Sequence, residues 1–180
     1  MGTQGIATTS ILTVTLLAAV AHADEGFMGT FSAYVGAEAS KKKCDKKNGG
    51  GNQAFYSPNG HTPQQFATED GTSSKGPVML AVPADLLEKY RGCKVSAPGL
   101  GDNFFIDDKC PGCTGTQFDV SFKNTDAACA VAKSFKKKIE NVKINCPGGD
   151  RSKEYVERAP PDRPKSEWGK FKKGQFTAYP

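Results

Sequence analysis

Histidine is nearly absent from this chain of 180 residues: there are two, His22 near the N-terminus and His61 in a Gly/Pro loop. One usable imidazole excludes a site built from several. With the cysteines expected in bridges, it also leaves no credible serine or cysteine hydrolase triad. No second CxxC and no HxxxH pair stands beside Cys110-Pro-Gly-Cys113, so a zinc finger has no other half. A thioredoxin-like reading of that pair lacks its βαβ context. Tryptophan occurs once, at Trp168. No apolar run is long enough for a membrane span; the nearest, Ile6 to Ala21, is short and interrupted by Thr and Ser. No internal repeat is visible.

That N-terminal run, followed by Ala21-His22-Ala23, has the form of a secretory signal with a small-x-small cleavage site. Residues 1–23 are therefore expected to be removed, leaving a secreted, extracellular chain. The charged residues all follow that point, so the formal net charge stays at +5. Six cysteines remain: Cys44, Cys93, Cys110, Cys113, Cys129 and Cys146. An even count behind a signal predicts a disulfide framework, whose connectivity spacing alone leaves open.

Gly29 to Val35 alternates apolar and polar residues and predicts a half-buried strand. Residues 52–77 read as a long surface loop. Val78 to Val82 is a continuous apolar run, the pattern of a buried strand. Pro83 to Tyr90 predicts a short helix with proline in its first turn. Cys93 to Ala97, Phe104 to Asp108, Phe118 to Phe122 and Val142 to Cys146 read as further strands, with a turn at Pro98-Gly99. Thr125-Asp126 can cap a helix whose apolar stripe runs through Ala128, Val131, Ala132, Phe135 and Ile139. Residues 147–180 hold mixed charge, four prolines before Lys165 and no apolar periodicity. They read as a loosely packed C-terminal tail. Three sections follow: signal 1–23, domain 24–146, tail 147–180.

Chemistry concentrates in one stretch. Phe104-Phe105-Ile106-Asp107-Asp108-Lys109-Cys110-Pro111-Gly112-Cys113 leads through a cysteine turn to Gln117-Phe118-Asp119-Val120-Ser121. Asp108 and Asp119 lie on either side of the turn and can face one cleft, or can satisfy backbone N–H groups there. Asp107 and Asp108 are consecutive on a strand, so one is expected to face solvent.

Four pieces in this order resemble the expansin-like, barwin-like and rare lipoprotein A-like double-psi β-barrel proteins, in their single-domain, loosenin-like form. They are Gly29-Thr-Phe-Ser-Ala-Tyr34, Leu80-Ala-Val-Pro-Ala-Asp-Leu86, Asp108-Lys-Cys-Pro-Gly-Cys113 and Phe118-Asp-Val-Ser121. The resemblance covers roughly residues 27–146. It implies an all-β fold, a six-stranded double-psi β-barrel with one or two short helices, pinned by disulfides. It makes Asp119 match the aspartate that expansins need and the general acid of related endoglucanases. Asp108 matches the second cleft aspartate, and Ser32 and Tyr34 the edge of the first strand. Gln117 stands where plant expansins have histidine, and Cys110 where some bacterial ones have tyrosine. The catalytic base of the endoglucanases is an aspartate on the first strand, yet residues 29–36 contain no Asp or Glu. Asp119 and Asp108 are the only catalytic candidates, and catalysis itself is not the expectation.

The resemblance thus implies a secreted protein that binds cell-wall polysaccharide in an open groove and loosens it without hydrolysis. Asp108, Asp119, Tyr34, Ser32 and Trp168 would be its binding residues. Cellulose, chitin, pectin and peptidoglycan are the candidate ligands. Lysine clusters at 41–47, 136–138 and 170–173 would favour an acidic glycan. The alternative is a secreted protease inhibitor or effector on the same barrel, using the 45–77 loop against a secreted protease. The third is a glycosidase or lytic transglycosylase. No cofactor, metal or nucleic-acid partner is expected, and a monomer is.

Overall fold

A computed structural model describes residues 26–36, 51–53, 57–135 and 137–161, with side chains of 51–53 and 132–134 not described. Cys44, Trp168, residues 1–23 and the lysines at 41–47 and 170–173 lie outside these residues.

The chain is mostly β. Its strands are β1 (Phe27–Gly36), β2 (Gly51–Gln53), β3 (Val78–Pro83), β4 (Lys94–Ala97), β5 (Gly101–Cys110), β6 (Gln117–Phe122), β7 (Lys137–Cys146) and β8 (Gly149–Asp150). The helices are few: α1 (Ala84–Tyr90), α2 (Thr125–Phe135) and α3 (Ser152–Arg158), with a 3-10 turn at Pro63–Phe66. Six strands close a ring of hydrogen bonds, in the order β1-β6-β3-β5-β4-β7 and back to β1. The short β2 and β8 extend it. The sheet is mixed: β1–β6 and β3–β5 run parallel, whereas β3–β6, β4–β5, β4–β7 and β1–β7 are antiparallel.

Alternation along each strand sorts side chains between two faces. Phe31, Val78, Leu80, Val82, Phe104, Ile106, Phe118, Val120 and Phe122 fill the main core. Tyr34, Ala81, Cys110 and Cys113 form a second buried cluster. The polar residues of interest project from that second side. At Pro98-Gly99 the expected turn is present, with Gly99 at φ +78°, where a side chain would be strained. Among the described residues no helix is long and apolar enough to cross a membrane.

Three expectations shift. The helix ends at Phe135, and Ile139 belongs to β7 instead. Lys137 to Ile139 pairs with β1 through Phe31↔Lys137 and Gly29↔Ile139, so ladder bonds outweigh the helical spacing of one apolar residue. The N-terminal cap of α2 is Asn124, whose side-chain oxygen accepts from the N–H of Ala127 at 2.8 Å. Beyond Cys146, β8 pairs with β7 and α3 sinks Tyr155 completely into the core. Tyr155 stacks against Phe118 at 5.5 Å and Phe27 at 5.8 Å.

Two disulfides are described: Cys93–Cys146 and Cys110–Cys113. Cys129 is also bridged. Among the described residues no cysteine is free. Cys93–Cys146 spans 53 residues and ties the start of β4 to the end of β7, whereas Cys110–Cys113 spans 3. Loop-closure entropy assigns the long bridge about 4 kcal/mol and the short one about 2. Replacing Cys93 and Cys146 by Ser is therefore expected to lower the denaturation midpoint far more than replacing Cys110 and Cys113. Equal losses in urea titrations would contradict this ranking.

Candidate functional site

The register of four neighbouring strands builds the site. Ser32 on β1 pairs with Asp119 on β6, Asp119 with Ala81 on β3, and Ala81 with Asp108 on β5. Cross-strand partners share a face, so Ser32, Asp119, Ala81 and Asp108 form one row. Two strand spacings separate the aspartates, which places their backbones roughly 10 Å apart. Ala81 between them is small. Tyr34, two residues beyond Ser32, lies on the same side and donates its phenol O–H to Asp108 Oδ2 at 3.0 Å.

Both carboxylates are buried. Asp108 also accepts from the backbone N–H of Lys109 at 2.8 Å, so it holds the end of its own strand as well as the tyrosine. Burial, and then the Asp108 charge, push the Tyr34 phenol well above its ordinary pKa, so it stays a donor. Asp119 Oδ1 accepts from the Ser32 hydroxyl. The Gln117 amide donates to Ser32 Oγ at 2.9 Å and to Asp119 Oδ1 at 3.3 Å. Ser32 and Gln117 are half-buried and form the accessible edge over Asp119. On the other side, Cys110 Sγ lies 3.2 Å from Asp119 Oδ2. A bridged sulfur carries no hydrogen, so it cannot donate in that pair.

No family model, curated protein or solved structure matches this chain.

The strand-alternation expectation for Asp107 and Asp108 fails, because both are buried. The pairing of β3 with β5 slips between Leu80 and Ala81: Ile106 faces Leu80, Asp108 faces Ala81, and Asp107 is the extra residue. Such a bulge cancels one step of alternation. Asp107 turns to the segment before the 3-10 turn. Its Oδ2 accepts from Ser57 Oγ at 2.8 Å, and its Oδ1 from Asn59 Nδ2 at 2.9 Å. His61 Nδ1 lies 2.6 Å from Oδ2.

His61, in its Gly/Pro loop, is held in place by these contacts. Its side chain is 41% exposed, yet Asp107 anchors one ring nitrogen. Phe66 and Phe105 meet the ring at 5.1 and 6.3 Å. With Nδ1 donating to the carboxylate, Nε2 is left as the proton-accepting nitrogen. One sequence signal for this group existed: Ser57, Asn59 and His61 place three donors at alternate positions.

The same segment is tied over the second face. Ser121 Oγ donates to the Pro63 carbonyl at 2.8 Å. Of the lysine cluster at 136–138, Lys137 and Lys138 are exposed on β7. Cys110, Cys113 and Asp119 bring three potential ligand atoms within 4.8 Å of one another, although the two sulfurs are bonded together.

Proposed function

We propose that this chain is a secreted, expansin-like protein that binds cell-wall polysaccharide and loosens it without hydrolysis, on a six-stranded double-psi β-barrel. The observation that carries the proposal is the Ser32–Asp119–Ala81–Asp108 row, with Tyr34 on the same face. A ring of six strands agrees with the strand number of that barrel. Secretion rests on the signal-like N-terminus and on the bridged cysteines.

In this reading, sugar hydroxyls meet Ser32 and Gln117, the half-buried edge. Asp119 behind them fixes the direction of both donors, and Asp108 with Tyr34 stiffens the floor. Pre-set polar groups of this kind give orientation at little ordering cost. The exposed lysines of β7 add attraction for acidic glycans.

The test is co-sedimentation of the full mature chain with cellulose, chitin, pectin and peptidoglycan, alongside wall-extension and reducing-sugar assays. Binding and extension to at least one glycan, without sugar release, are expected. Failure to bind any of the four would end the proposal.

A second reading, glycosidase or lytic transglycosylase, gains support from the His61–Asp107 pair. It offers a proton acceptor that the first strand does not. Steady sugar release that is lost in His61→Gln would favour cleavage and overturn the non-hydrolytic reading.

A further inference from the structure

Of the two described bridges, the one in the turn between β5 and β6 constrains the fold less. It closes a loop of 3 residues, against 53 for Cys93–Cys146. Both of its cysteines are buried, and a buried carboxylate faces one of them. Ser32 and Gln117 hold Asp119 by Oδ1, which directs Oδ2 at Cys110 Sγ. We propose that Cys110, Cys113 and Asp119 form a reducible cation site. With the bridge opened, two thiolates and one carboxylate take a single thiophilic divalent ion of the Zn²⁺ or Cd²⁺ class.

The geometry fits with a small change. The three donor atoms lie within 4.8 Å of one another. In a tetrahedral zinc site, Zn–S near 2.3 Å and Zn–O near 2.0 Å put sulfur and oxygen about 3.5 Å apart. Cys110 Sγ and Asp119 Oδ2 already stand at 3.2 Å. The sulfurs must part to about 3.8 Å by the same arithmetic, which rotation of a cysteine side chain supplies. The Cys-x-x-Cys spacing is the usual chelating one, and water completes the fourth position.

The chemistry balances with a dithiol as reductant. Its thiolate attacks one sulfur of the bridge and forms a mixed disulfide; its second thiol displaces the protein sulfur. Cys110 and Cys113 leave as thiols, and the reductant leaves as a cyclic disulfide. The cation then replaces two thiol protons, which go to solvent. Soft thiolates select such ions over Mg²⁺ or Ca²⁺. The proposal stands independently of the glycan reading, which concerns the oxidised protein.

The experiment uses the full mature chain with Cd²⁺ as the probe, reduced by a water-soluble phosphine, which takes oxygen from water as its oxide while the two water protons go to the sulfurs. Reduction of Cys110–Cys113 is verified by mass. Expected are one Cd²⁺ per chain with a thiolate-to-metal ultraviolet band, and at least tenfold weaker binding in Asp119→Asn. Cys110→Ser/Cys113→Ser should lose the band. Absence of the band in reduced wild type, its persistence in the double variant, or unchanged affinity in Asp119→Asn would each overturn the site. A second readout needs no variant: Cd²⁺ should protect Cys110 and Cys113 from alkylation. Unchanged alkylation rates at those two positions would also overturn it.

Discussion

Asp119→Asn is expected to weaken polysaccharide binding roughly ten- to a hundredfold while the chain stays folded. Asp119 is the acceptor toward which Ser32 and Gln117 turn. An amide in its place removes the charge and offers an NH2 group where Ser32 now donates, so the hydroxyl loses its fixed direction. Hydrogen bonds to charged groups contribute about 1.5–3 kcal/mol, and losing that much corresponds to the stated change in affinity. Near-ultraviolet circular dichroism should match wild type, because the isosteric amide keeps the shape of the row. Binding isotherms on the glycan that wild type prefers provide the check. Unchanged binding and wall extension would assign Asp119 a purely structural role, like the strand-end contact that Asp108 makes with Lys109.

Tyr155→Ala is expected to destabilise the protein by about 3–5 kcal/mol, the usual cost of truncating a large aromatic in a core. The ring is fully buried and meets Tyr90 edge-on at 4.9 Å, in addition to its stacking on Phe27 and Phe118. Burial raises the Tyr155 phenol far above its ordinary pKa, so its proton is kept throughout the physiological range. Urea titration followed by intrinsic fluorescence measures the loss directly. A chain that ends at Cys146 loses the same ring together with β8, and should not unfold cooperatively. A loss below 1 kcal/mol in Tyr155→Ala would mean that α3 is an ornament on the core rather than part of it.

Most strands were legible because their alternation is clean. Phe31, Phe118 and Phe104 each sit at the apolar beat of a short pattern, and all three are buried where that beat places them. That Asp108 and Asp119 lie on one face was legible too; that β3 inserts Ala81 between them was not. What escaped depends on long-range pairing. Ile139 continues a helical stripe, yet β1 recruits its neighbours into a ladder. The bulge at Asp107 has no local marker, because it arises from how β3 and β5 fit. The alternate donors Ser57, Asn59 and His61 did not name their acceptor, which stands 46 residues away from His61. Tyr155 sits among Lys153, Glu154, Glu157 and Arg158 on a short helix, so one buried ring is outvoted by charge.

The closure of the ring also sets an order of events. Within the closed ring β1 is held by β6 and β7, both late in the chain, and Ser32 meets Asp119 across 87 residues. Until β7 exists, the first strand has no antiparallel neighbour and presents a bare edge. Contacts at such separation are slow to form, since loop closure is costly before any pairing offsets it. Emergence from the ribosome and acquisition of structure are therefore separate steps for this chain. The ring closes only once β7 has been made, so the native core is completed after most of the chain has been synthesised.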